Sequence, residues 1–282
     1  MKPFLFIILS LLILFAGCSS KTLRKQRKQY EKATSGVKYK GYKTASKFAM
    51  AGSMEVYNDQ QPDSLQIHTP YAHLLLGYFW TASGKSSFAF AEADIVEEKS
   101  NASNDSHVKY LGQSLRSITM DQAGWHLLAT EESTKARQNV STDQVSRGKY
   151  EAAVIHLLMG TFYSTEKDFI KARPFWGGFA KETRIHWPYQ ICDAAAEFQV
   201  GNVQQGLQKV KIISQDPAVP KPIRDQLAVE LEKVETHAGS SVNSSLFWPS
   251  IIGKIIWQEF RNSSNQSLKK FAKSIEDVGA KL

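Results

Sequence analysis

The sequence predicts an all-α protein. Beyond Gln60, long runs rich in Ala, Leu, Glu, Lys and Gln alternate with short polar breaks at residues 100–106, 214–222, 237–245 and 262–267. No stretch of alternating apolar and polar residues leads into a hairpin turn, so strands have no support. The apolar positions also recur along the chain in a common order of small and large residues, which predicts stacked helix pairs.

The first segment is a targeting signal. Lys2 precedes an apolar run from Phe4 to Phe15, followed by Ala16, Gly17 and Cys18. That run is too short for a stable membrane span and has the length of a secretory signal. Leu14-Phe15-Ala16-Gly17-Cys18 resembles a bacterial lipobox, with Phe15 where leucine is commoner. The resemblance implies a signal peptide over residues 1–17, cleavage before Cys18, and a palmitate-bearing lipid anchor on the Cys18 sulfur. Ser19 and Ser20 resemble the residues after the cysteine in lipoproteins sent to the outer membrane, which implies a periplasm-facing location there. With Cys18 committed to lipid, Cys192 stands alone among two cysteines and no disulfide can form within the chain. Its neighbours read as a helix, and a buried small hydrophobe is its expected role.

Residues 18–48 read as a basic tether. Residues 19–48 carry ten Lys/Arg against Glu31, whereas residues 49–282 carry 24 basic and 26 acidic side chains. The formal charge of +8 is therefore local and the body is nearly neutral. Nucleic acid is excluded as a partner, because the basic residues form a tether on an exported chain and not a groove. Basic side chains beside a lipid anchor are drawn to anionic headgroups. Tyr30, Val37, Tyr39, Tyr42 and Phe48 make the segment less polar than a pure linker, so part of it is expected to pack back on the body.

The helical domain is expected over residues 49–236. Leu158-Met159-Gly160-Thr161-Phe162-Tyr163 is followed by Phe169, Ala172, Trp176 and Phe179. Ala194, Val203, Gly206, Val210 and Ile213 repeat the order of sizes at a period of about 34 residues, and Leu76, Gly77, Trp80, Gly84, Ala89 and Val96 give an earlier copy. The pattern resembles tetratricopeptide (TPR) repeats. The resemblance covers residues 70–236 and implies a TPR-like α-solenoid of antiparallel helix pairs. Helices approach closely only where side chains are small, as at Gly160 facing Ala172. Glu197 and Ala93 depart from the pattern, and 83 residues separate the first two copies, so residues 107–147 are expected to hold helices of irregular length.

A helix from Pro222 to Thr236 follows, with Ile223, Leu227, Leu231 and Val234 on one stripe and charges opposite, as a capping helix requires. Residues 246–282 form a C-terminal apolar and amphipathic pair of helices. Residues 246–257 are unusually apolar, and Leu268, Phe271, Ile275 and Val278 make a further stripe. Covering the end of the core is the expected role, and binding a membrane or partner is the alternative.

Catalytic patterns are lacking. Gly84-Lys85-Ser86 ends like a phosphate loop, but Phe79 stands where that loop needs glycine, so an interhelical turn is expected. The seven histidines are scattered, no Gly-x-Ser-x-Gly elbow occurs, and adjacent carboxylates such as Glu131 and Glu132 do not face one another on a helix. No enzyme activity, cofactor or metal is expected. Aromatic residues not used by the repeats, Tyr78, Trp187 and Tyr189, are the candidate binding residues.

The expected function is that of a lipid-anchored, TPR-like scaffold binding another cell-envelope protein through protein–protein interaction. Lipoproteins of that build include pilotins and scaffolds of polysaccharide export. The alternatives are a ligand-binding lipoprotein serving a transporter and, further off, an enzyme of envelope remodelling.

Overall fold

A computed structural model describes residues 21–35, 65–82, 84–139 and 149–236, with positions 255, 256, 258, 259 and 262. Cys18 and the signal peptide, most of the basic tether and most of residues 246–282 lie outside the described residues. Helices and turns account for the described chain, with no strand among those residues. The all-α expectation holds.

The helices are α1 (residues 21–34), α2 (Leu65–Ala82), α3 (Ser86–Ser103), α4 (Ser106–Gln122), α5 (His126–Gln138), α6 (Lys149–Thr165), α7 (Phe169–Thr183), α8 (Trp187–Gln199), α9 (Val203–Gln215) and α10 (Lys221–Thr236). Four antiparallel pairs, α2/α3, α4/α5, α6/α7 and α8/α9, share one turn. Gly84, Gly124, Lys167 and Gly201 each adopt a positive φ, between 59° and 85°. The N–H of each bonds back to the carbonyl three residues earlier, and the following N–H to one five residues earlier. That double bond satisfies the orphan carbonyls at a helix end and reverses the chain tightly. Lys167 holds this conformation without glycine's freedom.

The turn sets a register in which packing is decided. Five residues after it stand Ala89, Ala129, Ala172 and Gly206, and seven before it Gly77, Ser117, Gly160 and Ala194. A Cβ on Gly160 would lie 2.8 Å from the Trp176 ring, and one on Gly206 would lie 2.7 Å from Phe198. Gly160 therefore meets Trp176 more closely than Ala172. Within residues 107–147, expected to hold helices of irregular length, α4 and α5 are 17 and 13 residues long and form a pair with the same turn. Ser117 there fills the close position and donates to the Ala129 carbonyl at 2.9 Å. The copy is hidden in the sequence because serine replaces glycine and a longer connection follows α5.

α2 lies at the centre. Every residue from His73 to Ala82 is buried, and the helix packs against α3, α4 and α6. Thr161 Oγ1 donates to the Tyr78 hydroxyl across α2 and α6, and the Tyr110 and Tyr163 hydroxyls meet between α4 and α6. α2, α4 and α6 thus form a closed triangle. From α7 onward each helix packs on the next, α7 on α8, α8 on α9 and α9 on α10. The first three pairs make a bundle-like core, and the rest extends from it in single file.

The start of the basic tether is part of this fold. α1 lays Leu23, Gln26 and Tyr30 against a second apolar cluster of Phe90, Met120, Leu128, Ala129 and Trp125. Tyr30 stands edge-on to Phe90, with ring centres 5.0 Å apart, and to Trp125. Trp125 cannot cap α5 with its own side chain. Gln26 supplies the missing acceptor, taking the Leu128 N–H at 3.1 Å. Beside this contact Arg116 bonds three carboxylates, Asp94, Glu97 and Glu132. Burial alone would lower the Arg116 pKa, but Glu132 and its neighbours raise it, so the guanidinium stays charged.

Candidate functional site

The outer face of α7 and the turn into α8 form an open groove. Phe169, Ala172, Trp176, Phe179 and Thr183 turn their side chains into the core. Ile170, Arg173, Pro174, Gly177, Ala180 and Lys181 follow one another at helical spacing and line the groove. Arg184, His186 and Tyr189 close its far side, and the space they bound measures about 1280 Å³ and is open to solvent.

Local sequence explains the shape. Pro174 returns no hydrogen bond to the Ile170 carbonyl, so a backbone acceptor is left on this face of the helix. The Tyr189 ring lies across α7 at Gly177, where an added Cβ would meet it in ordinary contact at 3.6 Å. Its neighbour Gly178 receives the His156 ring on the opposite side. Arg184 takes the left-handed conformation that ends α7 and swings the chain into α8. At the other end Asp168 caps Lys171, while Gln199 of α8 accepts the Phe169 and Ile170 N–H groups. Both ends of α7 are thereby fixed.

The electrostatics are cationic with an apolar floor. Arg173, Lys181 and Arg184 face the groove with Glu182 as the carboxylate among the lining residues. Arg173 lies 3.3 Å from Asp193, which also binds Lys209, and Lys209 reaches Glu197. Hydrogen bonds from Lys209 and Asn202 hold the Glu197 carboxyl below its usual range. Ile170 is 46% exposed, a large apolar side chain left at the groove mouth.

Of the sequence candidates, the structure brings Tyr189 to this groove and neither of the others. Tyr78 is 2% exposed on the central helix, and burial pushes its hydroxyl up to about 12. Trp187 is 3% exposed in the core beside Glu259, whose carboxyl is raised by burial. Both are packing residues, because their positions on α2 and α8 point inward. Ile170, Arg173, Lys181 and Arg184 are the groove residues that sequence reasoning missed. Their signal was present in the positions of α7 that the repeat pattern does not consume.

A smaller space of about 390 Å³ lies between Thr183, Arg184, Ile185, Pro220, Ile255, Gln258, Glu259 and Asn262. Deep in the core, His73 Nδ1 and Glu92 Oε2 meet at 2.6 Å with no exposed side-chain surface, a pair that joins α2 to α3 and reaches neither groove. No cluster of three metal-ligating side chains occurs among the described residues. Burial pushes the Cys192 thiol up to about 12, and its Sγ contacts the Phe169 carbonyl, so it packs as a small hydrophobe. No family model, no curated protein and no solved structure matches the chain.

Proposed function

We propose that this chain is a lipid-anchored outer-membrane lipoprotein facing the periplasm, whose TPR-like helix pairs bind another protein of the cell envelope. The open groove on α7 and α8 is the observation that carries this reading. Its apolar floor of Ile170, Pro174 and Gly177 beside Tyr189, edged by Arg173, Lys181 and Arg184, suits a protein segment that carries both apolar and acidic side chains. A groove open along its length supports an adaptor over the enclosed pocket that a small-molecule carrier needs. The lipobox-like residues from Leu14 to Cys18 supply the anchor in this reading.

Two experiments test it. Cys18→Ala should abolish acylation and leave uncleaved precursor or released protein, read by fractionation and mass spectrometry. A photocrosslinker at Ile170, Lys181 or Tyr189 should capture one stoichiometric envelope protein in cells, and one at Gln208 on the exposed side of α9 should not. Equal capture from all four positions, or none from the groove, sinks the adaptor reading.

A further inference from the structure

We propose that α1 is a docked foot that lays the body on an anionic phospholipid surface and fixes its orientation there. The proposal deepens the membrane-tethered reading and rests on it for the presence of a bilayer. Its own evidence is the two-faced construction of α1. One face, Leu23, Gln26 and Tyr30, is spent on the body, with Gln26 capping α5. The opposite face carries Lys21, Arg24, Lys25, Lys28 and Lys32, all exposed. At the pitch of an α-helix these five cations fall within about 100° of its circumference, centred opposite Tyr30.

This arrangement differs from a solvated spacer in a way that physics makes consequential. A basic chain in free solution would present its charges in all directions and hold the body at a distance. In α1 the charges share one rigid stripe. Arg27, on the flank, is turned to Glu131 of α5 and helps to clamp the helix. Glu31 is the carboxylate on this helix and lies on the same flank. The body's nearby acidic groups, Asp94, Glu97 and Glu132, are engaged with Arg116 behind the docked face. The stripe thus confronts its surroundings as a nearly pure cationic surface.

The occupant follows from charge and from position. Anionic headgroups attract lysine and arginine near a bilayer without needing a shaped pocket. α1 begins at Lys21, immediately after the apolar segment and Cys18, so a bilayer that holds the N-terminus lies beside it. Because α1 is clamped to α3 and α5, contact along the stripe dictates which side of the body faces the lipid.

The test uses the full chain with Cys18→Ser and an added N-terminal hexahistidine tag, held on all vesicles by the same amount of nickel-chelating lipid. A fluorescent reporter is placed through Lys28→Cys or, as a control, Lys211→Cys on α9, Cys192 being buried. Vesicles of phosphatidylcholine are compared with vesicles enriched in phosphatidylglycerol, each containing headgroup-quenching lipid. The reporter at position 28 should be quenched in the anionic vesicles only, and high salt should reverse it. The position-211 reporter should not respond. Neutralising Lys21, Arg24, Lys25 and Lys32 to glutamine, singly and together, should weaken the contact about fivefold per cation. These side chains are exposed, and circular dichroism checks that the variants fold. Equal quenching in neutral vesicles, or no effect of the glutamine variants, overturns the proposal. So does a reporter that answers to polyglutamate and not to vesicles, which would assign the stripe to an acidic protein. Since Cys18 is replaced throughout, failure here leaves the acylation reading to its own experiment.

Discussion

At residue scale the close contacts carry the most information. Gly160 admits the Trp176 ring, whose Nε1 donates to Ser164 Oγ at 3.1 Å, so the ring cannot slide away without breaking that bond. Gly160→Leu should therefore cost about 1–3 kcal/mol by overpacking, and Gly160→Ala should already lower the melting temperature. A thermal melt unchanged by both would mean that Trp176 has room to move. Titration gives a second residue-scale expectation. Burial lowers the pKa of His107 and of His156 below the ordinary 6.5. As pH falls below that value the unfolded chain takes up protons that the folded chain resists, so stability decreases with acidification. Urea melts of the His107→Gln, His156→Gln double variant should show a shallower loss over that window, and an unchanged slope would assign the acid sensitivity elsewhere. These details were unequally legible in advance. A small residue before a turn marks a close approach, so Gly160 could be read, but nothing in the string says that its neighbour is Trp176 rather than Ala172. Tyr78 and Trp187 lie buried and away from the groove, because surplus aromatics are as readily buried by a central helix as exposed by an outer one.

Elements were legible where they are periodic and obscure where they borrow stability from elsewhere. α7 and its turn stood out because glycines, alanines and aromatics recur at the repeat spacing, whereas the α4/α5 pair was lost behind Ser117 and a longer connection. α1 shows the second kind of difficulty. Its sequence is dominated by lysine and arginine and lacks an apolar stripe of ordinary width, so it reads as a tether. What makes it a docked helix lies on the other side of the contact, in the apolar cluster of α3, α4 and α5 and in the uncapped start of α5. Gln26 should then matter out of proportion to its polarity. Gln26→Ala removes the buried acceptor of the Leu128 N–H and is expected to cost about 1 kcal/mol, the usual worth of a helix cap. Equilibrium denaturation measures it, and Gln29→Ala, on an exposed position of the same helix, is the control. Equal effects of the two would show that α1 contributes propensity alone and caps nothing.

At the scale of the whole molecule, the described helices close on one another at one end and run in single file at the other, and that asymmetry bears on the C-terminus. The α2, α4 and α6 triangle shields its own core, but α7 to α10 extend in single file, so the inner side of α7 and α8 needs a cover. The described C-terminal residues supply one. Ile255 is 7% exposed and Ile256 fully buried, both within the core cluster, and Glu259 reaches Trp187. This contact favours the covering role over a membrane-binding one, for the same isoleucines cannot face lipid while packed on the core. Cutting the chain after His237 should therefore bare the apolar surface beneath Ile255 and Ile256, lower the melting temperature and promote aggregation. A gentler variant keeps the question answerable if the truncation does not fold. Ile256→Ala removes side-chain volume from a buried site and should cost about 2–5 kcal/mol, whereas Gln258→Ala, on an exposed position, should cost little. If Ile256→Ala melts like the parent and the truncated chain stays monomeric while losing vesicle or partner binding, the segment is a docking element, and the open end of the stack is finished by another molecule.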